Sequence, residues 1–142
     1  MPEINVRQRF NQPPEQVFAA LGTHQGLNQL FWPIQVQRVR DATDPQHPDG
    51  VGSVRKMGLG WIKPLAEQIT AYEPNALVEY TVIGRAPIKH HLGRLTFTAD
   101  GQGTLVDYHI SLESDLPFVA PTVLNGLQLA IRLGLARMAR NI

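Results

Sequence analysis

The 142-residue sequence contains no cysteine. Disulfides, thiolate nucleophiles and cysteine-ligated metals are therefore excluded. Charge of one sign is equally scarce: 13 Lys and Arg stand against 12 Asp and Glu, a net charge of +1. A chain so balanced has no electrostatic reason to seek nucleic acid. No apolar run approaches the ~20 residues of a membrane span. The opening Met1-Pro2-Glu3 lacks the basic and apolar regions of a signal peptide. These absences lead to the expectation of a soluble, cytoplasmic protein with no stable membrane insertion. There are no repeats, no low-complexity linker and no phosphate loop, dinucleotide fingerprint or nucleophile elbow. Gly50 and Gly52 lack the third glycine and following helix that phosphate binding needs. No cofactor is expected, and the length suits one domain over residues 1–142 with a core of its own.

What is present is organised around the last stretch, Pro117 to Ile142. On a helical wheel Val119, Val123, Leu124, Leu127, Ala130, Ile131, Gly134, Leu135 and Met138 share one broad side. Asn125, Gln128, Arg132 and Arg140 fall opposite, which predicts an amphipathic helix laid on a core. Ser114 and Asp115 are candidate caps, with Pro117 in the first turn. Gly126, Ala130 and Gly134 recur every four residues, so a strand or a ligand is expected to lie close. Leu129 and Leu133 sit on the polar side, either as a homodimer contact or as scattered surface residues.

Most of the rest reads as strands. Ile4, Val6 and Phe10 alternate with polar residues. A helix begins near Pro13-Pro14 and ends at Gly22, and a second short helix covers Thr23 to Leu30. Gln35 to Arg40 is a strand, Asp41 to Gly50 a surface loop, and Gly50 to Arg55 opens another strand. Met57 to Lys63 reads as a flexible loop with Trp61 at its tip. Leu65–Glu73 and Ala76–Ile83 form a hairpin. A turn at Pro74-Asn75 sets Glu67 opposite Val82, Ile69 opposite Tyr80 and Ala71 opposite Val78. Ile88–Ala99 and Gly103–Ser114 form a second hairpin through Asp100-Gly101. That turn pairs His91 with Ile110, Gly93 with Tyr108 and Arg94 with Asp107. A two-residue slip would instead set Arg94 opposite His109 and keep the same faces. Joining the hairpins through Gly84–Pro87 sets Val82 beside His91. Glu67, Tyr80, His91 and Tyr108 then share the apolar face.

The order of elements resembles a known family. One strand, two short helices, six strands and a long last helix are similar to the helix-grip fold of the START-like (SRPBCC) superfamily, polyketide cyclase/dehydrase-like branch. The residues that carry the resemblance are Pro13 to Phe18, Phe31-Trp32-Pro33, Gly50 to Arg55, Glu67 to Pro74 and Gly103 to Val106. It implies an α+β fold, a curved antiparallel sheet of about seven strands around the C-terminal helix. It also implies a cavity for a small hydrophobic or amphipathic molecule. The family shares no universal catalytic residue, so fold alone does not choose the chemistry.

Candidate ligand-binding residues are Arg55, Trp61, Glu67, Tyr80, His91, Tyr108, Leu127, Ala130 and Gly134. Each has a plainer reading beside it. His91 is equally a satisfied core histidine, and Glu67 could reach water from a strand end. The tyrosines fit a core whose hydroxyls find partners. Arg55 either meets a polar ligand group or solvates the rim. Trp61 and Trp32 are candidates to gate an entrance, and Trp32 equally fits a plug at the core edge. His90 points away from His91 on a strand, so no chelating pair forms and no metal site is expected. Three functions stay open: a binder of a small hydrophobic ligand, a cyclase or dehydratase using Glu67 and His91 as acid and base, and a protein-interaction module.

Overall fold

In the computed structural model, residues 2–84 and 87–142 are described, with Pro64 as backbone only. The order is β1 (Glu3–Phe10), α1 (Pro14–Leu21), α2 (His24–Leu30), β2 (Gln35–Arg40), β3 (Val54–Leu59), β4 (Ile62–Glu73), β5 (Leu77–Ile83), β6 (Lys89–Asp100), β7 (Gly103–Glu113) and α3 (Val119–Asn141). The seven strands form one antiparallel sheet, ordered β1-β7-β6-β5-β4-β3-β2. Period-2 alternation sends Ile4, Val6, Val36, Met57, Ile69, Val78, Tyr80, Leu95, Tyr108 and Ile110 into the core. The helices cover that face: α3 lies on β1 and β7, α2 on β2 and against α3, and α1 across β6 and β7. This is the expected α+β helix-grip architecture.

Local chemistry explains the elements. Pro14 starts α1 at its first position, and the Gly22 N–H closes it on the Phe18 carbonyl. Thr23 caps α2 by accepting from the Gly26 N–H at 3.1 Å. The start of α3 differs from expectation. Its N-cap is Phe118, in the left-handed region at φ +68° and without a side-chain cap. Ser114 instead accepts from the Leu116 N–H and donates to the Pro87 carbonyl, which fixes the loop before the helix.

The buried stripe of α3 is narrower than the wheel suggests. Ala120, Leu124, Ile131, Gly134, Leu135 and Met138 are buried, Val123 and Leu127 are half-buried, and Ala130 is exposed. Ala130 sits about 100° around the helix from Ile131, beyond the strip that α2, β1 and β7 cover. Gly134 has no room for a side chain: a Cβ there would lie 2.3 Å from the Leu30 carbonyl oxygen. Gly126 faces open space. By length and composition α3 is also apolar enough to cross a membrane, contrary to the expectation from the sequence. Its apolar face is the one packed into this core. Leu129 and Leu133 are exposed.

The two hairpins depart from their expected registers in different ways. At β4–β5 the loop holds three residues, because Glu73 pairs with Leu77. A bulge between Ile69 and Ala71 absorbs the extra residue. Glu67↔Val82 and Ile69↔Tyr80 therefore hold, while Ala71 faces Glu79. At β6–β7 the slipped register is adopted: Asp100 pairs with Gly103, Gly93 with Ile110, Leu95 with Tyr108 and Arg94 with His109. Arg9 holds Asp100 in the strand at 3.1 Å, and the turn moves to Gly101-Gln102 with Gly101 at φ +60°. Arg94 pairs with Glu79 at 2.6 Å, while Asp107 takes Arg7 and Asn5. The join between the hairpins runs through residues 85 and 86, outside the described residues. Met57 to Lys63 is no flexible loop but the end of a hairpin, with Leu59 paired to Ile62 around Gly60-Trp61.

Leu135 is fully buried on α3 and Leu129 is exposed. Leu135→Ala is expected to cost about 2–5 kcal/mol, and Leu129→Ala less than ~0.5 kcal/mol. Urea unfolding of the two variants measures both. Equal losses would mean that α3 seats a different face.

Candidate functional site

Cross-strand pairing at β3–β4 sets Arg55 directly opposite Glu67 on the core face. Both are buried, at 7% and 5% exposure. The Arg55 Nε donates to Glu67 Oε1 at 3.0 Å. Two charges so deep persist only because each answers the other. Burial works against the Arg55 charge, but Glu67, with Tyr80 and Tyr108, outweighs it and raises the guanidinium pKa. Burial raises the Glu67 carboxyl above its ordinary range, with Arg55 pulling it back down.

Tyr80, on β5, forms the next layer. The Arg55 Cζ lies 4.6 Å from its ring centroid, a cation–π contact. The ring lies over Gly93 of β6, where a Cβ would come within 2.2 Å of it. That missing side chain lets Tyr80 reach across β6, so that its hydroxyl shares a hydrogen bond with the Tyr108 hydroxyl of β7. Phe31, at the end of α2, meets the Tyr108 ring edge-on at 6.5 Å. Burial raises both phenol pKa values, so both hydroxyls stay neutral donors.

His91 follows a kink in β6. His90 takes φ +53°, and the register shifts between Lys89 and Leu92. The His91 Nδ1 accepts the Val82 N–H at 3.2 Å. Its proton therefore sits on Nε2, which is left as the ring's donor. The ring lies 5.5 Å from that of Tyr80. Burial, reinforced by the nearby Arg55 charge, lowers its pKa to about 4. His91 is thus neutral near pH 7.

Glu67, Tyr80, His91 and Tyr108 share the core face, as the strand pattern predicts, and Arg55 joins them through the β3–β4 pairing, which the pattern does not predict. Their bonding differs from expectation. Glu67 is held by Arg55 rather than poised beside His91, and the His91 Nδ1 is already occupied. Arg55 is not a rim residue. The remaining candidates lie elsewhere: Trp61 is exposed at the β3–β4 tip, Ala130 faces outward, Gly134 packs on Leu30, and Leu127 is half-buried against the core. The Arg55–Glu67 pairing was only partly open to a sequence reading. Gly60-Trp61 is a Gly-X two-residue hairpin turn that brings β3 and β4 together, but by itself it sets Arg55 opposite Ala66; the irregularity between Met57 and Leu59 moves Glu67 into place. Phe31 gave no comparable signal.

What the cluster offers is mostly hydrogen-bond donors. Among the described residues, Arg55 has one hydrogen bond, through Nε. Its Nη nitrogens have no hydrogen-bond partner among the described residues. Among the described residues no group of three or more His, Asp or Glu is placed to hold a metal. A separate concavity of about 510 Å³ lies between α2 and the end of α3, lined by Asn28, Trp32, Arg137 and Met138 among others.

The whole chain, residues 1–142, matches the family described as polyketide cyclase / dehydrase and lipid transport. A search of curated proteins returns no match. Solved structures share the fold at low identity. XoxI from Bacillus cereus is 14% identical, with 99% of this chain and 95% of that one covered and a TM-score of 0.74. Ara h 8.0201 is 14% identical, with 99% of both chains covered and a TM-score of 0.71. A protein from Nitrosospira multiformis is 17% identical, covering 96% of this chain and 94% of its own, at a TM-score of 0.72.

The buried pair yields one prediction. Glu67→Gln leaves Arg55 without its counter-charge and is expected to cost about 3–5 kcal/mol. Replacing both, Arg55→Met with Glu67→Leu, should recover most of that loss, since no lone charge remains. Denaturant unfolding of Arg55→Met, Glu67→Leu and the double variant measures the coupling; additive losses would show that the two charges do not interact.

His91 yields another. Its folded pKa of about 4 lies below the ordinary 6.5, so the unfolded chain binds the extra proton more readily. Stability from this residue is present above pH 6.5 and is lost as pH falls toward 4. His91→Gln, which keeps an acceptor for Val82, should reduce the drop in stability between pH 7 and 4.5. After allowance for partial exposure the difference is about 1–2 kcal/mol. Parallel urea titrations at the two pH values check it. An NMR titration of the ring near 6.5 would contradict the burial argument.

Proposed function

The chain belongs to the polyketide cyclase / dehydrase and lipid transport family, and from that premise we infer that it binds a small hydrophobic or amphipathic molecule between the sheet and α3. The apolar body of the ligand lies against the core-facing side chains. Half-buried Leu65, Ile88, Val123 and Leu127 pack against that core. Its polar end meets the donors of Arg55, with the His91 Nε2–H and the tyrosine hydroxyls as further partners. One observation carries this reading: a largely buried guanidinium spends one N–H on Glu67, and its Nη groups have no hydrogen bond among the described residues. Donors held among apolar side chains are costly unless satisfied, so a ligand that supplies the acceptor gains by meeting them.

Binding rather than catalysis is the better-supported role. A general base needs a free lone pair and a pKa near the working pH. The acceptor nitrogen of His91 is taken by Val82, and its pKa is about 4. Glu67 is committed to Arg55.

The test is a displacement assay with an environment-sensitive apolar dye against acceptor-bearing amphiphiles. Arg55→Met, combined with Glu67→Leu to spare the fold, should keep dye binding but weaken ligands with a polar end at least tenfold. That corresponds to about 1.4 kcal/mol. Unchanged affinity for every amphiphile would remove Arg55 from the site. No dye binding to either protein would remove the cavity reading itself.

A further inference from the structure

Two features of α3 have no use within a single copy of the chain. Gly126 lies mid-helix, where glycine is destabilising relative to alanine, yet a Cβ there would meet nothing within 4 Å. Gly134, by contrast, is required by the Leu30 carbonyl that lies against it. Leu129 and Leu133 are 59% and 58% exposed. One such leucine is ordinary, but these two and Gly126 stand on one outward line.

Helical geometry fixes that line. α3 packs on β1, α2 and β7, and Leu124, Ile131, Leu135 and Met138 are among its buried residues. At about 100° per residue, the line opposite them passes through Thr122, Gly126, Leu129 and Leu133, with Val119 and Ala136 at its ends. Thr122 and Gly126 are exposed like the leucines, and Val119 and Ala136 are half-buried. Steps of three and four residues alternate along this line, the spacing of a seam between two packed helices. From Val119 to Ala136 the one charged residue is Arg132, about 80° off the line.

The order of sizes along the seam matches itself in reverse. Turned end for end about its midpoint, between Leu127 and Gln128, the helix sets Val119 against Ala136, Thr122 against Leu133 and Gly126 against Leu129. Every layer pairs a larger side chain with a smaller one, and the bare backbone at Gly126 is a hole of the kind a leucine fills. A two-fold dimer requires one patch to be complementary to itself, and this patch is. The charges permit the same pairing. Antiparallel helices oppose their dipoles favourably. The two Arg132 residues stand ~13 Å apart along the axis, beyond the screening length of ~8–10 Å. Arg137 and Arg140 lie past the last layer.

We propose that the protein forms a two-fold dimer through the outward face of α3, with the two helices antiparallel and Leu129 of each copy seated at Gly126 of the other. The contact runs over about five helical turns, or ~27 Å. A single helix pair is a small interface, so the dimer dissociates on dilution over roughly the micromolar range. This face lies on the far side of α3 from the sheet, so the dimer does not depend on what the interior binds.

Sedimentation velocity of the full chain over a concentration series tests it. The expected result is a monomer–dimer equilibrium. Leu133→Arg, at an exposed position, should weaken the dimer about tenfold or more. Gly126→Leu should weaken it likewise while leaving the urea stability of the monomer unchanged or raised, since the site opens on free space. Cysteine, which the chain lacks, reads the register. Thr122→Cys with Leu133→Cys should give a covalent dimer on oxidation, because each thiol faces its counterpart in the other copy. Within one helix the two positions are ~16 Å apart, too far to bridge. Thr122→Cys alone should not cross-link. A monomer at every concentration overturns the proposal. So does efficient cross-linking through Thr122→Cys alone, which would mean a parallel pair or another register. Vesicle binding that Leu133→Arg abolishes, with no dimer formed, assigns the face to lipid instead.

Discussion

The interior depends on one ion pair. Arg55 and Glu67 face each other across β3 and β4 in a layer otherwise made of apolar and aromatic side chains. Neither charge is tolerable there alone, so the pair fixes the register of β3 on β4 as firmly as hydrophobic alternation does. A one-residue slip would turn one member outward and strand the other. The guanidinium then sets its surroundings. It lies on the Tyr80 ring, and its charge adds to burial in keeping His91 neutral. Tyr80 in turn reaches Tyr108 only because Gly93 leaves the surface of β6 bare. Five strands thus contribute to one polar layer, and an exchange at any member is felt by the others through contact rather than distance.

The arrangement also explains why the layer is a donor site. Glutamate neutralises the guanidinium but accepts only one of its N–H groups. The local charge sums to zero while the hydrogen-bonding capacity does not. Under the proposed binding mode, a neutral ligand oxygen would meet these donors without bringing a second anion close to Glu67.

Much of the fold was legible in the sequence because alternation and helical periodicity encode faces. Ile4, Val6, Leu95, Tyr108, Leu124 and Ile131 are buried where the pattern puts them. Registers were less legible, for a reason that turns on single residues. Asp100-Gly101 carries the stronger local turn signal, yet Arg9 on a distant strand keeps Asp100 in β6. At β4–β5 a longer loop and a bulge cancel, so the pairs at the site come out right while those near the turn do not. The site was half legible for the same reason. Alternation places Glu67 and His91 on the core face, but what each bonds to depends on neighbours from other strands. Arg55 meets Glu67 only through the turn at Gly60-Trp61 together with the irregularity between Met57 and Leu59, and the second leaves no mark in the sequence. The width of the buried stripe on α3, and so the exposure of Ala130, depends on where α2 and β1 happen to rest.

The sheet order has a consequence for how the chain comes off the ribosome. β1 has one partner, β7, and its first residue pairs with Ser111. The apolar side of β1, Ile4, Val6 and Phe10, is therefore made before the other strands and sheltered only after them. At ordinary synthesis speeds of ~5–20 residues per second, about 100 residues separate the two events by roughly 5–20 s. During that interval β2 to β6 can pair in sequence as local meanders, but the sheet has no closing strand, and α3 has not yet emerged to cover it. The nascent protein thus carries β1 as an unpaired, half-apolar segment until β7 is made, the kind of segment that holding chaperones recognise.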